Sequence, residues 1–250
     1  MESNMDQTTE SKTSIKAVLF DLDDTLVLTH TADKAAHQAV MELLSRREHP
    51  FLDQQAIIDA FVKGFINQPW DPNHQIDVTE WRAQIWCRAL EAQAIRDIEL
   101  AREIQHCFDT TRMASFQWAP EVEQIVQRIK LKGIKVGIIT NGHPKVQRAK
   151  LSACRADEIF NTILVGGEEV HQKPHKSIFL KACELVGTRP EESVMVGDSL
   201  KTDIQGGINA GYLSTVWINN HGIDYSPHEL VKPTYIIRNF SELPQVLSLY

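Results

Sequence analysis

The segment Lys16–Thr25, Lys-Ala-Val-Leu-Phe-Asp-Leu-Asp-Asp-Thr, decides how the rest of the chain is read. Its apolar run Ala17-Val18-Leu19-Phe20 is rich in strand-forming residues and stops at three carboxylates, Asp21, Asp23 and Asp24. A short apolar run with such an abrupt end reads as a strand buried on both faces. Like charges delivered to the end of a buried strand repel one another and resist ionisation, so a cation should meet them there. In open α/β sheets that end of a strand is also where ligands bind. The plainer reading of the same residues is a solvated turn with an aspartate helix cap.

Downstream from Pro120 the chain alternates between two periods. Val122, Ile125, Val126 and Ile129 mark an amphipathic helix stopped by Gly133. Short apolar runs at 134–139, 162–165, 193–196, 214–218 and 235–237 read as strands, and the spacing predicts helices over 144–153, 176–186, 200–210 and 241–249. Strands alternating with helices imply βαβ units and a parallel sheet covered on both faces. The expected fold class is therefore α/β, a Rossmann-like parallel sheet core to which Lys16–Phe20 adds one more strand.

Between about Ala32 and Phe116 the pattern is helical throughout. Ala35/Ala39/Leu43 with Ala36/Val40/Leu44, Ile57/Phe61/Phe65, Trp81/Ile85/Ala89 with Trp86/Leu90, and Leu100/Ile104/Phe108 form four apolar stripes. Breaks fall at His49-Pro50 and over 68–73, which is turn chemistry. An all-helical insertion over 31–116 thus interrupts a core made of 15–30 and 117–250, behind a polar, disordered lead-in over 1–14.

The chain has 250 residues and a net charge of −7. With no Lys/Arg-rich block, that charge speaks against phosphate-driven nucleic-acid binding, so cations meeting an anionic substrate must be local. Four widely spaced cysteines form no CxxC pair, which points to a reducing cytoplasm rather than a disulfide framework or zinc site. No apolar run approaches the ~18 residues of a membrane span, and the first residues lack a signal peptide's apolar core.

Each expected strand is followed by a polar group. Asp21 and Asp23 follow the first, Thr140-Asn141-Gly142 the next, Lys173-Pro174 lies beyond Val165, and Gly197-Asp198 with Asp203 follows Val196. In a parallel sheet these ends share one edge, so residues far apart in sequence converge on one cleft. Taken singly, Thr140-Asn141-Gly142 is also a plain turn, Lys173 a surface lysine before a proline, and Asp198 and Asp203 helix caps.

The four segments, in this order, resemble the motifs of the haloacid-dehalogenase-type phosphohydrolase superfamily. Asp21-Leu22-Asp23-Asp24-Thr25 matches its DxDxT motif, Thr140 its hydroxyl motif, Lys173 its basic motif, and Asp198 with Asp203 its GDxxxxD motif; the insertion resembles its helical cap. The resemblance implies a Mg²⁺ held by the Asp21 and Asp198 carboxylates and the Asp23 carbonyl, with Asp203 supporting them from nearby. Asp21 would be the nucleophile that forms an aspartyl-phosphate, and Asp23 the acid and base that protonates the leaving alcohol and then activates water. Lys173, Thr140, Asn141 and the Leu22-Asp23 segment would bind the phosphoryl oxygens, where stabilising charge is most of the catalytic task.

Further runs, Val165–Glu168, Lys173–Phe179, Val194–Gly211 and Thr215–Asn219, are similar to the group of phosphatases acting on N-acylneuraminate 9-phosphate, although His143 stands where that group has an acidic residue. The resemblance implies a small-molecule phosphomonoester as partner. A nucleoside 5′-monophosphatase or other sugar phosphatase, a phosphomutase, and a non-catalytic scaffold stay open. A sialic acid phosphate also carries a carboxylate, for which Arg112, and less directly Arg82 and Arg88, are candidates, each also readable as a solvated helix face. His30 and Lys34 are candidates by position alone. The crossings over 26–31 and 116–120 are expected hinges.

Overall fold

In the computed structural model, which describes residues 14–47, 52–220, 222–226, 228 and 230–248, the opening run is strand β1, Ala17–Phe20, with every residue buried. The chain then leaves the sheet for four helices, α1 (Thr29–Ser45), α2 (Gln54–Asn67), α3 (Val78–Glu91) and α4 (Ile98–Ala114). It returns through α5 (Val122–Leu131), β2 (Lys135–Thr140), α6 (Pro144–Ala153), the single turn α7 (Ala156–Ile159) and β3 (Thr162–Val165). Helix α8 (Lys176–Val186), β4 (Ser193–Gly197), α9 (Gln205–Asn209), β5 (Ser214–Ile218), β6 (Tyr235–Ile237) and α10 (Leu243–Val246) complete the order.

The strands form one six-stranded sheet, β3-β2-β1-β4-β5-β6, parallel at every pairing. Phe20 stands in register between Ile138 and Val196, so Asp21, Thr140 and Asp198 leave the sheet at the same edge. The order reverses at β1, which opens a crevice beyond its carboxyl end. Alternate residues serve opposite faces, as the pleat requires. Val18, Phe20, Ile138 and Val196 pack with Val122 and Val126 of α5; Ala17, Leu19, Ile139 and Met195 pack with Ile178 and Phe179 of α8.

The inserted helices have an apolar cluster of their own, built from Val40, Leu44, Ile57, Phe61, Ile85, Trp86, Ile104 and Phe108. Phe61 lies flat on Trp86, ring centroids 3.6 Å apart. Asp53, Asp77 and Asp97 start α2, α3 and α4 by accepting the amides of Ala56, Thr79 and Leu100, each satisfying a donor the helix cannot use itself. The two crossings run side by side: Val27 bridges Trp118, and the Ala119 amide donates to the Leu26 carbonyl at 2.7 Å.

Three elements differ from the sequence reading. Along α1 the row Ala32, Ala36, Val40, Leu44 is buried, with Thr29 at its start, while Ala35 is exposed and Ala39 and Leu43 are half-buried, because this helix meets its neighbours along one stripe. The helix expected over 200–210 splits into a wide turn, Leu200–Ile204, followed by α9. The Ser199 carbonyl accepts both the Asp203 amide (3.0 Å) and the Ile204 amide (3.2 Å), which widens the turn and swings Asp203 beneath the sheet edge. The expected helix 241–249 is a 3₁₀ turn, Phe240–Glu242, running into the short α10. The break at His49-Pro50 and the lead-in, apart from residue 14, lie outside the described residues. Among the described residues no helix is long and apolar enough to cross a membrane.

Candidate active site

Asp21 is fixed at the tip of β1 by its amide, which donates to the Val196 carbonyl at 2.9 Å. Lys173 reaches it from the loop after β3. Its ammonium has three protons and three partners: Asp21 Oδ1 at 2.5 Å, Asp203 Oδ1 at 2.7 Å and the Ile139 carbonyl at 2.7 Å. Burial alone would push Lys173 towards neutrality, but Asp203 and Asp21 outweigh it and hold the ammonium well above its ordinary value. Asp21 Oδ2 accepts no hydrogen bond from any described residue.

Two local devices deliver these groups. The Asn141 side chain accepts the Lys173 amide and donates to the Lys173 carbonyl, both at 2.9 Å, so the end of β2 grips the lysine's backbone. Gly197 makes room for Asp203: a Cβ there would stand 2.3 Å from Asp203 Oδ2. That oxygen also accepts the Ser199 amide at 3.0 Å.

Asp21, Asp198 and Asp203 each offer a carboxylate oxygen, and the three atoms lie within 4.8 Å of one another. Burial, then Asp203 and Asp24, push the Asp198 carboxyl up to about 7. Asp21 is likewise held well above the carboxylate range, mainly by burial, against the pull of Lys173 and with Asp203, Asp198 and Asp23 adding repulsion. Three clustered carboxylates against one ammonium leave a negative, all-oxygen pocket, which is the donor chemistry that suits Mg²⁺. The residues fit the ion.

Asp23 faces a different set of neighbours. Its Oδ1 accepts from Lys150 Nζ and from Thr29 Oγ1, each at 2.5 Å, and its Oδ2 from Gln147 Nε2 at 2.8 Å. The same Gln147 nitrogen donates to Thr140 Oγ1 at 2.6 Å, tying Asp23 to the buried hydroxyl of Thr140. Burial raises the Asp23 carboxyl, but Lys150, Thr29 and Gln147 together bring it down to about 2. Sequence reasoning missed Lys150 and Gln147. They sit three apart on one face of α6, a helix whose apolar residues are too few to cover a sheet, and a polar pair on such a face is the signal that was there to read.

Asp24 takes the left-handed conformation (φ 55°), and its Oδ1 accepts the His30 amide at 2.8 Å, so it caps the start of α1. Leu22 is buried, while His30 and Lys34 are exposed on α1. Arg112 is buried rather than solvated; its Nε donates to Asp33 Oδ1, and its guanidinium faces the rings of Phe108 and Phe116. Arg82 is buried as well, whereas Arg88 is exposed beside Trp81. Both buried arginines belong to stripes that pack: Arg82 stands four residues before Trp86 and Arg112 four after Phe108. The insertion also touches the loop after Thr140, through Trp70 and His74 against His143, and the first turn of α6, through Asp77 with Lys145 at 2.7 Å.

The sequence profile of the haloacid dehalogenase-like hydrolases matches residues 15–211. N-acylneuraminate-9-phosphatase of Homo sapiens is 34% identical over 235 residues, covering 93% of this chain and 94% of that protein. Glyceraldehyde 3-phosphate phosphatase of Pyrococcus furiosus is 29% identical over 238 residues, covering 94% and 92%. Among solved structures, the magnesium-bound HAD-hydrolase YfnB of Bacillus subtilis shares the fold with a TM-score of 0.69 at 23% identity, over 94% of this chain and 99% of that one.

Proposed function

The chain belongs to the haloacid dehalogenase-like hydrolases, and on that footing we propose that it is a Mg²⁺-dependent phosphatase of small phosphomonoesters, with N-acylneuraminate 9-phosphate as substrate. The observation that carries the reading is the Asp21–Lys173 pair at 2.5 Å beside an Asp21/Asp198/Asp203 cluster within 4.8 Å. The Asp21 and Asp198 carboxylates and the Asp23 carbonyl would hold the ion, with Asp203 behind them. When bound, Mg²⁺ would supply positive charge that keeps Asp21 and Asp198 ionised and offsets charge on the phosphoryl oxygens.

The chain's own groups account for the steps. Lys173 fixes Oδ1 of Asp21, and the unengaged Oδ2 attacks phosphorus. The P–O bond to the substrate alcohol breaks, and the alcohol oxygen takes a proton by way of Asp23; because Lys150, Thr29 and Gln147 hold that carboxyl ionised in this conformation, the proton enters with the substrate's phosphate monoanion. Water then attacks the phosphorus of the aspartyl-phosphate, gives a proton to Asp23, and returns Asp21 with release of inorganic phosphate. Thr140 Oγ1 and the Leu22, Asp23 and Asn141 amides would receive the equatorial oxygens, with Lys173 as the cationic partner. An acid two residues from the nucleophile favours phosphate chemistry, because displacement of a halide from carbon asks for no proton at the leaving group.

The human relative at 34% identity supports the substrate, and the archaeal relative's different substrate defines what must be tested. Phosphate release should be measured with and without Mg²⁺ from N-acylneuraminate 9-phosphate, nucleoside 5′-monophosphates and glyceraldehyde 3-phosphate. The proposal expects the highest kcat/KM on the first. A nucleotide or triose preference would replace the substrate, and no release from any ester would refute the activity.

A further inference from the structure

Arg82 presents a physical problem. It lies on α3 at 4% exposure, yet it donates no hydrogen bond to any described residue, and its Nε is buried without a partner. Its nearest carboxylate, Asp109 Oδ1, is 4.0 Å from Nη1 and is itself a third exposed; on another side it faces the Phe65 ring at 4.9 Å. A buried cation without hydrogen-bonded partners is strongly unfavourable, and an apolar side chain of that length would pack there at no such cost. Beside it is a cavity of about 110 Å³ lined by Arg82, Arg112, Asp109, Lys145, Val146 and Ala149, among others. That is room for about three or four waters at ~30 Å³ each, or for one carboxylate.

We propose that Arg82 and this cavity form a carboxylate site that reads an acidic group on the same substrate whose phosphoryl end meets Asp21. The inference rests on the phosphatase reading above and adds to it a residue and a ligand chemistry. The other cations at the cavity are already engaged, Arg112 with Asp33 and Lys145 with Asp77, so Arg82 is the one there whose donors lack a strong acceptor. A guanidinium presents its N–H groups in a planar fork that matches a carboxylate. Asp109 and Asp33 close by limit the anion to a singly charged one, since a doubly charged phosphate would meet their repulsion. The floor of the cavity is α6, which starts directly after Thr140-Asn141-Gly142-His143. Arg82 is close enough to His143 that, after burial, it is the next cause holding that imidazole below its ordinary value. A molecule lying along this seam would place phosphate at the strand ends and carboxylate at the insertion.

The test compares N-acetylneuraminate 9-phosphate with its C1 methyl ester, by kcat/KM, on the wild-type chain, Arg82→Met and Arg82→Lys. The wild type should prefer the acid by about 10- to 100-fold, the range of one hydrogen-bonded charge pair. Arg82→Met should bring that ratio close to one, with Arg82→Lys between. Its melting temperature should be no lower than that of the wild type, because the substitution removes an unpaired buried charge. Four results would overturn the site: no preference in the wild type, a preference that survives in Arg82→Met, equal losses on acid and ester, or a melting point several degrees lower with the ratio unchanged. If the wild type releases phosphate from no ester of the wider panel, the phosphatase reading fails and this inference falls with it.

Discussion

Replacing Lys150 by Met is the perturbation that probes the Asp23 arrangement most sharply. The Lys150 side chain is 5% exposed and its Nζ lies 2.5 Å from Asp23 Oδ1, so the substitution keeps the bulk and removes the charge. Breaking a buried ion pair costs about 3–5 kcal/mol. The Asp23 side chain is 30% exposed, so water replaces part of what is lost and about 2 kcal/mol is the expected cost. For a chain of this size that lowers the melting point by roughly 4–8 °C. The catalytic signature is more specific. Gln147 and Thr29 still hold Asp23, but it loses the contact that fixes its rotamer and holds its carboxyl low, so its position and its proton affinity both change. Positioned acid catalysis is worth about 10²–10⁴-fold, and a loosened acid should forfeit on the order of tenfold or more with an alkyl phosphate. 4-Nitrophenyl phosphate, whose leaving group needs little protonation, should lose much less. The assay is kcat/KM on both esters, since that ratio reports the step that breaks the substrate's bond and not the later hydrolysis. Arg at the same position should restore part of the difference, and Asp23→Asn should show the same selectivity without adding to it. Equal losses on both esters would show that Lys150 does not act through the acid Asp23.

Three further outcomes follow from the same geometry. The Asp23 carboxyl lies at about 2 against an ordinary 3.8, so the stability it contributes is complete above about pH 4 and is lost as pH falls through 2; urea denaturation across that window should show a shallower slope in Lys150→Met. Asp198, near 7 without metal, holds a proton below that pH, so Mg²⁺ affinity should rise with pH up to about 7 and then level; calorimetry in two buffers should record proton release on binding, and its absence at pH 6 would count against Asp198 as a ligand. Gly197→Ala should destabilise the chain and depress turnover at least tenfold, because its Cβ would stand 2.3 Å from Asp203 Oδ2 and displace a partner of Lys173; full activity would show that Asp203 is dispensable.

Much of this fold is written in local patterns. Continuous apolar runs ending in polar residues mark β1, β2 and β4, because a parallel strand is buried on both faces and must end where its ligand groups begin. The i, i+4 stripes mark the inserted helices for the same reason of burial. Tertiary demands explain the failures. The wide turn at Leu200–Ile204 exists to place Asp203 under Gly197, a constraint no helical periodicity encodes. Of the candidate residues, Asp21, Asp198, Asp203 and Lys173 converge as strand-end reasoning predicts, whereas the Asp23 side chain turns to Lys150 and Gln147, whose signal in the sequence is a polar pair three apart on a helix with few apolar residues and not a motif. Arg82 reads as surface charge by residue type; its position on the Trp86 stripe is what buries it.

Turnover through Asp21 requires a covalent bond between its carboxylate and phosphorus. Rapid mixing with N-acylneuraminate 9-phosphate and Mg²⁺, followed by quenching and borohydride reduction, converts an aspartyl-phosphate to homoserine that peptide mass spectrometry can locate. Homoserine is expected at position 21 and none in Asp21→Asn, which should also release no phosphate while keeping its fold. Phosphate release by the wild type with no modification at Asp21, or with full activity in Asp21→Asn, would contradict it.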